Sequence, residues 1–316
     1  MNLTVKCNPV FSQAASSTPR SDAGDTVDGH SSNRFGLISK INAITNSPNK
    51  TPNDSFDKIV IVGDSLSDSE GRMYSKSLGF IPSAPQYYEG RFTNGYTWID
   101  FLSSPAYMNV EVKNKAEGGA VAGTYSKLNP VFMFISSMSS QVKNLRFNER
   151  DLAIVSIGSN DYITFDKKNI NKVVGDLVKN LNKMIKHGAQ NIIVMGVPDF
   201  SQTPNALGKD KTHQNALQEI SRQHNVMLGA EIIKIRDESG VNIKYFDLSE
   251  SFNSIIQQAK ELGYDTTNAF HQGYIGGGTL NISPEYIFND SVHPTQEVHA
   301  IFAMKIQEFI AKEFNA

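Results

Sequence analysis

A serine near residue 65 and a histidine near the end of the chain have the surroundings that nucleophilic catalysis requires. Ser65 lies in Gly63-Asp64-Ser65-Leu66, directly after an apolar β-branched run, and His293 lies in Asp290-Ser291-Val292-His293-Pro294. The Asp290 carboxylate can turn back to the imidazole Nδ1–H and stabilise the imidazolium that forms when Nε2 takes a serine proton. The sequence therefore predicts Ser65 as nucleophile, His293 as base and Asp290 as the acid that orients it.

Each of these features also has a purely structural interpretation. A Gly-Asp-Ser turn after a strand often only caps a helix, and an Asp-x-x-His pair before a helix is also typical of a cap or of half a metal site. Six other histidines compete for the role of base: His30, His187, His213, His224, His271 and His299. His187, His213 and His224 fall in or at the ends of predicted surface helices. Pro294 biases His293 away from helical backbone angles, which suits a side chain that projects from a loop.

Two further loops offer hydrogen-bond donors for a developing negative charge. Gly119 follows the second predicted strand in Ala116-Glu117-Gly118-Gly119, and Asn160 follows the third in Gly158-Ser159-Asn160-Asp161. The backbone N–H groups of Ser65 and Gly119 and the side-chain amide of Asn160 are the predicted oxyanion hole for acyl transfer. Tight turns at the glycines and an Asx-turn at Asn160 are the structural alternatives. For Asp64 and Asp161 the prediction is local turn hydrogen bonding.

The elements that must position these residues alternate between short β-branched runs and amphipathic stretches. Strands are predicted at Lys58–Val62, Asn109–Lys113, Leu152–Ile157, Asn191–Val197 and Val241–Phe246, and helices at Lys168–His187, Lys209–Arg236 and Pro294–Phe314. Continuous Ile/Val runs separated by helices indicate a parallel sheet that is buried on both faces. We therefore expect an α/β protein: a three-layer α/β/α sandwich with a mainly parallel five-stranded sheet. In such sheets ligands bind beyond the carboxyl ends of the strands, where the candidate loops fall.

The first 55 residues differ from the rest of the chain. They are rich in Ser, Thr, Asn, Asp, Gly and Pro and poor in apolar residues, and they lack the basic start and apolar stretch of a cleavable signal peptide. Residues 1–55 are predicted to be a disordered leader, either a plain linker or an export signal, and residues 56–316 form the predicted catalytic domain.

Composition excludes several other classes of protein. The formal charge is −2, which argues against a nucleic-acid binder, and the single cysteine excludes an internal disulfide and a cysteine-rich zinc site. No apolar run reaches the roughly 18 residues that a membrane span needs. The sequence has no zinc or nucleotide motif, so no metal and no cofactor are expected.

Four motifs of this sequence together resemble those of the SGNH (GDSL) hydrolase family, which has a flavodoxin-like sandwich. These four blocks are Gly63-Asp64-Ser65-Leu66, Gly119, Gly158-Ser159-Asn160-Asp161 and Asp290-Ser291-Val292-His293. Gly90-Arg91-Phe92-Thr93-Asn94-Gly95 and the Val292–His299 segment further resemble the family's bacterial glycerophospholipid:cholesterol acyltransferase branch. The resemblance implies that Ser65, Asp290 and His293 are catalytic, that Ser65, Gly119 and Asn160 form the oxyanion hole, and that no cofactor is used.

The resemblance also implies a substrate and a setting. The expected substrates are phospholipid and sterol at a membrane surface, with phospholipase A activity and acyl transfer to cholesterol. We expect a secreted effector that is injected into a host cell and binds peripherally to host membranes. A host protein such as a small GTPase is its expected activator. The alternative location is the bacterial cytoplasm. A short-chain or carbohydrate esterase of the same fold and a host-protein-binding effector are the alternatives.

Two segments outside the blocks bear on substrate choice. The apolar residues 131–138 are interpreted either as a core helix or as a site for an acyl chain. Residues 268–283, with Gly276-Gly277-Gly278, are interpreted either as a surface loop or as a hinged lid.

Overall fold

A computed structural model of the protein describes residues 56–270 and 286–314. The polar leader and most of the 268–283 segment lie outside the described residues, so the predicted domain boundary after residue 55 stays a prediction.

A five-stranded parallel sheet forms the centre of the molecule, as predicted. The strands are β1 (Lys58–Gly63), β2 (Glu111–Asn114), β3 (Asp151–Ser156), β4 (Asn191–Met195) and β5 (Asn242–Phe246), in the order β2-β1-β3-β4-β5. Every neighbouring pair is parallel. The predicted strands agree with these bounds to within two residues at either end.

Helices cover both faces of the sheet. They are α1 (Arg72–Lys76), α2 (Trp98–Ser103), α3 (Pro130–Phe134), α4 (Met138–Val142), α5 (Ser159–Ile163), α6 (Ile170–Lys186), α7 (Pro204–Leu207), α8 (Lys211–Ser239), α9 (Leu248–Glu261) and α10 (Gln296–Phe314). Asp210 caps α8 by accepting from His213 N–H, and Gly240 ends it in the left-handed region at φ 71°.

Side chains of one strand alternate between two hydrophobic cores. Val60 and Val62 of β1 pack with α4, α6 and α8, whereas Ile59 and Ile61 pack with α2, α9 and α10. This alternation follows from the two-residue period of a strand, and it produces the three predicted layers.

A small second sheet was not predicted. Strands β6 (Asp265–Ala269) and β7 (Tyr286–Phe288) pair in parallel, and β7 runs directly into the loop that contains Asp290 and His293. The Thr295 N–H donates to the Ile287 carbonyl at 2.9 Å and closes that loop against its own strand. The polar sequence of β6 and the three-residue length of β7 give no periodic signal.

His224 lies in helix α8, as predicted, but on the face of the helix that packs against the core. Its imidazole is fully buried on α8, and Nδ1 lies 2.8 Å from the Tyr162 hydroxyl. Leu217 and Leu228 lie seven residues before and four after it, so all three fall on the buried face of the helix.

No helix within the described residues is long and apolar enough to cross a membrane.

Candidate active site

Ser65 lies in a short 3₁₀ turn just beyond the carboxyl end of β1. The Gln141 side chain holds the preceding peptide: Gly63 N–H donates to Oε1 at 2.9 Å, and Nε2 donates to the Gly63 carbonyl at 2.8 Å. A Cβ at position 63 would lie 2.8 Å from the Ser67 Cβ, so only glycine fits. The Asp64 carboxylate accepts from Leu66 N–H, which is the predicted local turn. These contacts fix the direction in which the Ser65 hydroxyl points.

The structure brings Ser65, His293 and Asp290 into one hydrogen-bonded row. Nε2 of His293 lies 2.7 Å from the Ser65 Oγ, and Nδ1 lies 2.7 Å from the Asp290 Oδ2. The other Asp290 oxygen accepts the backbone N–H groups of Val292 and His293, each at 2.8 Å. With Nδ1–H donating to Asp290, Nε2 is free of a proton and can accept the one on Ser65.

Tyr87 makes a contact with this row that sequence analysis missed. Its hydroxyl donates to the Asp290 Oδ2 at 2.8 Å, so that oxygen faces both the phenol and the imidazole. The Phe92 ring covers His293 at 5.0 Å between ring centroids. Both residues come from the segment before α2. In that segment the Gly90–Gly95 motif was the only feature that the sequence analysis had linked to function.

The same segment also forms hydrogen bonds with the residues that follow His293. The Thr93 hydroxyl donates to the Pro294 carbonyl at 2.9 Å, and Asn94 Oδ1 accepts the Gln296 N–H at 2.8 Å. The Gln296 side chain in turn accepts the Tyr96 N–H at 2.8 Å. The Gly90–Gly95 motif and the Val292–His299 segment therefore contact each other, although they lie about 200 residues apart in the chain.

The three predicted oxyanion donors follow the carboxyl ends of β1, β2 and β3 at the same edge of the sheet. Asn160 and Ser65 line one cavity, and the Asn160 amide donates to the Ala120 carbonyl at 3.0 Å, next to Gly119. Gly119 has φ +75°, which favours glycine. In the described part of the chain neither the Ser65 N–H nor the Gly119 N–H has an acceptor.

The prediction of local hydrogen bonding for Asp161 is wrong. Its carboxylate accepts the N–H groups of Ala122 and Gly123 and the hydroxyl of Tyr125, at 2.6–2.9 Å. Asp161 therefore braces the loop that carries Gly119, across nearly 40 residues of sequence. Asp68 braces the same loop by accepting the Gly118 N–H at 2.9 Å.

Burial raises the pKa values of three carboxyl groups near the active site. Loss of hydration raises the pKa of Asp64 to about 7, and burial raises the pKa values of Asp68 and Asp161 as well.

A cavity of about 270 Å³ opens over Ser65, His293 and Asn160. Its apolar wall consists of Leu66, Ile163, Pro198, Phe200 and Val292, and its polar wall includes Thr164, Thr203 and Asn205. A larger depression, of about 750 Å³, lies at the opposite edge of the sheet beside Phe56 and Phe314 and contains none of the candidate residues. Asn160 lies in the wall of the cavity over Ser65.

The apolar 131–138 segment is not the core helix that was one of its two interpretations. Phe132 and Met138 are buried, but Val131, Met133 and Phe134 of α3 are exposed.

A three-layer sandwich with a serine, a histidine and a carboxylate in one row beyond a strand end defines a serine ester hydrolase. The chain belongs to the GDSL-like lipase/acylhydrolase family, whose sequence profile matches residues 59–306. It is therefore an ester hydrolase or acyltransferase, as the sequence predicted.

Two known proteins are similar to this chain over most of its length. The chain is 39% identical over 288 residues to the secreted effector protein SseJ of Salmonella typhimurium, covering 89% of this chain and 70% of that protein. It is 33% identical to the phosphatidylcholine-sterol acyltransferase of Aeromonas hydrophila, covering 82% and 92%. Among solved structures, a lipolytic G-D-S-L family protein from Veillonella parvula matches 81% of this chain with a TM-score of 0.47 and 15% identity.

Proposed function

We propose that the protein takes a fatty acyl group from a membrane glycerophospholipid onto Ser65 and passes it to cholesterol or to water. The observation that carries this proposal is the row of 2.7 Å contacts from the Ser65 Oγ through His293 to Asp290. The substrate class is supported by the 33% identity to a phosphatidylcholine-sterol acyltransferase over 92% of that relative.

The geometry supports the following acylation step. Ser65 Oγ attacks the acyl carbonyl carbon while Nε2 of His293 takes the hydroxyl proton, and Asp290 stabilises the imidazolium. The carbonyl oxygen gains the negative charge, which the N–H groups of Ser65 and Gly119 and the Asn160 amide stabilise. Collapse breaks the ester bond, and the lysophospholipid leaves with the proton from His293.

Deacylation repeats the step with a different nucleophile. The acceptor hydroxyl gives its proton to Nε2 as its oxygen attacks the acyl-Ser65 ester, and Ser65 then recovers the proton. Water yields free fatty acid and cholesterol yields sterol ester, so the product ratio depends on how well the site excludes water.

Lipid mass analysis tests the proposal directly. Incubation with phosphatidylcholine vesicles that contain cholesterol should yield lysophosphatidylcholine, free fatty acid and cholesteryl ester, and the Ser65→Ala protein should yield none of them. Hydrolysis of short acetyl or aryl esters with no product from vesicles would contradict a lipid substrate and favour the short-chain or carbohydrate esterase.

We also propose that the protein is a secreted effector whose export signal lies in residues 1–55, and that it acts peripherally on host membranes together with a host protein activator such as a small GTPase. The 39% identity to a relative named as a secreted effector supports this proposal. A chain that lacks residues 1–50 should hydrolyse lipid in vitro but fail to be exported. Normal export of the truncated chain would contradict the proposed signal, and equal activity with and without host cytosol would contradict the activator.

A further inference from the structure

Most exposed large apolar side chains lie in two short segments. Of the nine that the described residues carry, seven fall within residues 74–80 and 128–134, and the other two are Val226 and Ile233 on α8. The seven, called here the apolar patch, are Tyr74, Leu78, Phe80, Leu128, Val131, Met133 and Phe134. Scattered apolar residues need no explanation, but a concentration of this kind marks an interaction surface.

The two segments meet beside the active site. The Lys76 ammonium lies 5.0 Å from the centroid of the Phe134 ring and pairs with Glu117, two residues before Gly119. A Cβ placed on Gly119 would lie 3.3 Å from the Ile135 Cδ1 and 3.7 Å from the Met73 Cε. The apolar patch therefore borders the loop that supplies a proposed oxyanion donor.

Lysine side chains lie beside the apolar patch. Residues 71–88 and 118–148 contain no Asp or Glu. Lys127 donates to the Phe132 carbonyl at 2.6 Å, and Lys167 lies 5.1 Å from the Phe132 ring. Apolar side chains with lysines at their edge match the interface of a bilayer that contains anionic lipids.

The degree of exposure distinguishes a lipid phase from a protein partner. Leu128 is 95% exposed and Leu78 is 86% exposed, so both side chains protrude from the surface. A folded partner would need a preformed pocket for each protruding side chain, whereas acyl chains and headgroups rearrange around them.

We propose that the apolar patch inserts into the headgroup and upper acyl region of an anionic phospholipid bilayer and sets the opening over Ser65 against that surface. This inference rests on the proposed function in that the substrate is a membrane lipid. Binding itself does not require turnover, so it can be measured on an inactive protein.

The test is flotation of full-length Ser65→Ala protein with vesicles of phosphatidylcholine and phosphatidylserine in equal parts. The further changes Leu78→Ser, Phe80→Ser and Leu128→Ser should together weaken vesicle binding on the order of a hundredfold. The matched control, Val226→Ser with Ile233→Ser on α8, should bind normally. Vesicles of phosphatidylcholine alone should bind more weakly than the mixed vesicles, and equal binding to both would overturn the anionic component.

Two outcomes would overturn the apolar patch as a membrane-binding surface. One is normal flotation of the triple variant. The other is equal loss of flotation in the α8 control, which would show that any exposed apolar side chain suffices. In a background with Ser65 intact, the triple variant should keep its turnover of a water-soluble short-chain ester, which shows that it folds. If that variant floats normally but loses its stimulation by host cytosol, the patch binds a protein and the membrane proposal is wrong.

A second variant gives an answer even if the triple variant does not fold. Leu128→Trp in the Ser65→Ala background places an indole at a 95% exposed position, while the only native tryptophan, Trp98, is buried. Vesicles with brominated acyl chains should quench the added emission and leave that of Trp98 unchanged. Absence of quenching on vesicles that bind the protein would place residue 128 outside the bilayer and overturn the proposal.

Discussion

The Tyr87 hydroxyl donates to the same Asp290 oxygen that faces Nδ1 of His293, at 2.8 Å and 2.7 Å respectively. Asp290 is fully buried, and donors from two distant parts of the chain hold its carboxylate in place. Tyr87 is therefore a positioning residue for the Ser–His–Asp row, although it lies 203 residues away from Asp290 in sequence.

Tyr87→Phe should lower kcat about five- to tenfold, because the Asp290 carboxylate loses one of the hydrogen bonds that fix it. KM for a soluble ester should change little, since Tyr87 does not line the cavity over Ser65. The measurement is steady-state kinetics, with Tyr88→Phe as the control for loss of a neighbouring hydroxyl. A rise in KM with normal kcat would show that Tyr87 acts on substrate binding.

Asn160→Ala should lower kcat by about 10²–10³, the usual effect of removing one oxyanion donor. Thr164→Val is the matched control, because it removes the hydroxyl that donates to the Asn160 amide oxygen at 2.7 Å and leaves the amide itself in place. The control should cost about fivefold, the effect of one neutral hydrogen bond. Equal losses in both variants, or an unfolded Asn160→Ala protein, would support the turn-forming interpretation of Asn160.

Gln141→Leu should lower the free energy of unfolding by about 1–3 kcal/mol, because the buried Gly63 N–H loses its acceptor and the Gly63 carbonyl keeps only the Glu117 N–H. Gln223→Leu on the exposed side of α8 should change the free energy of unfolding by less than about 0.5 kcal/mol. Chemical denaturation measures both. A Gln141→Leu protein of normal stability would mean that the Gly63 peptide does not depend on this side chain.

The contribution of His224 to the free energy of unfolding should be lost as the pH drops below about 6.5. Burial lowers the pKa of His224 from 6.5 to about 4, so the folded protein keeps the ring neutral where the unfolded chain takes up a proton. Between these two pH values this one group removes up to about 1.4 kcal/mol of unfolding free energy per pH unit.

His224→Gln should therefore lower the slope of the unfolding free energy against pH between pH 4 and 6. The comparison uses the difference in slope between variant and wild type, because buried Asp64, Asp68 and Asp161 contribute with the opposite sign in both proteins. His213→Gln, at the start of the same helix, is the control. Parallel pH profiles for wild type and His224→Gln would show that His224 is protonated in the folded state.

The sheet and the close approach of Ser65 to His293 could be predicted from the sequence for physical reasons. Continuous Ile/Val runs form buried parallel strands, and the loops at their carboxyl ends must share one edge of the sheet. Ser65 lies at that edge, whereas the His293 loop follows β7 of the second sheet, so its approach to Ser65 was predicted from the chemistry of Asp290-x-x-His293.

The contacts that hold those loops could not be predicted in the same way. Tyr87 lies in a segment without regular periodicity, and the bonds from Asp161 to Ala122 and Gly123 join two loops whose distance depends on the finished fold. The burial of His224 is a property of the face it occupies on α8 and not of its residue type. Exposure of the short helix α3 likewise depends on what packs beside it.

The central claim is that a fatty acyl group is carried on Ser65. The most direct measurement is rapid acid quenching of full-length protein with phosphatidylcholine vesicles, followed by peptide mass spectrometry. The account predicts a fatty acyl ester on the peptide that contains Ser65, absent from the Ser65→Ala protein. An acyl group on another residue, or release of fatty acid by Ser65→Ala at the wild-type rate, would contradict it.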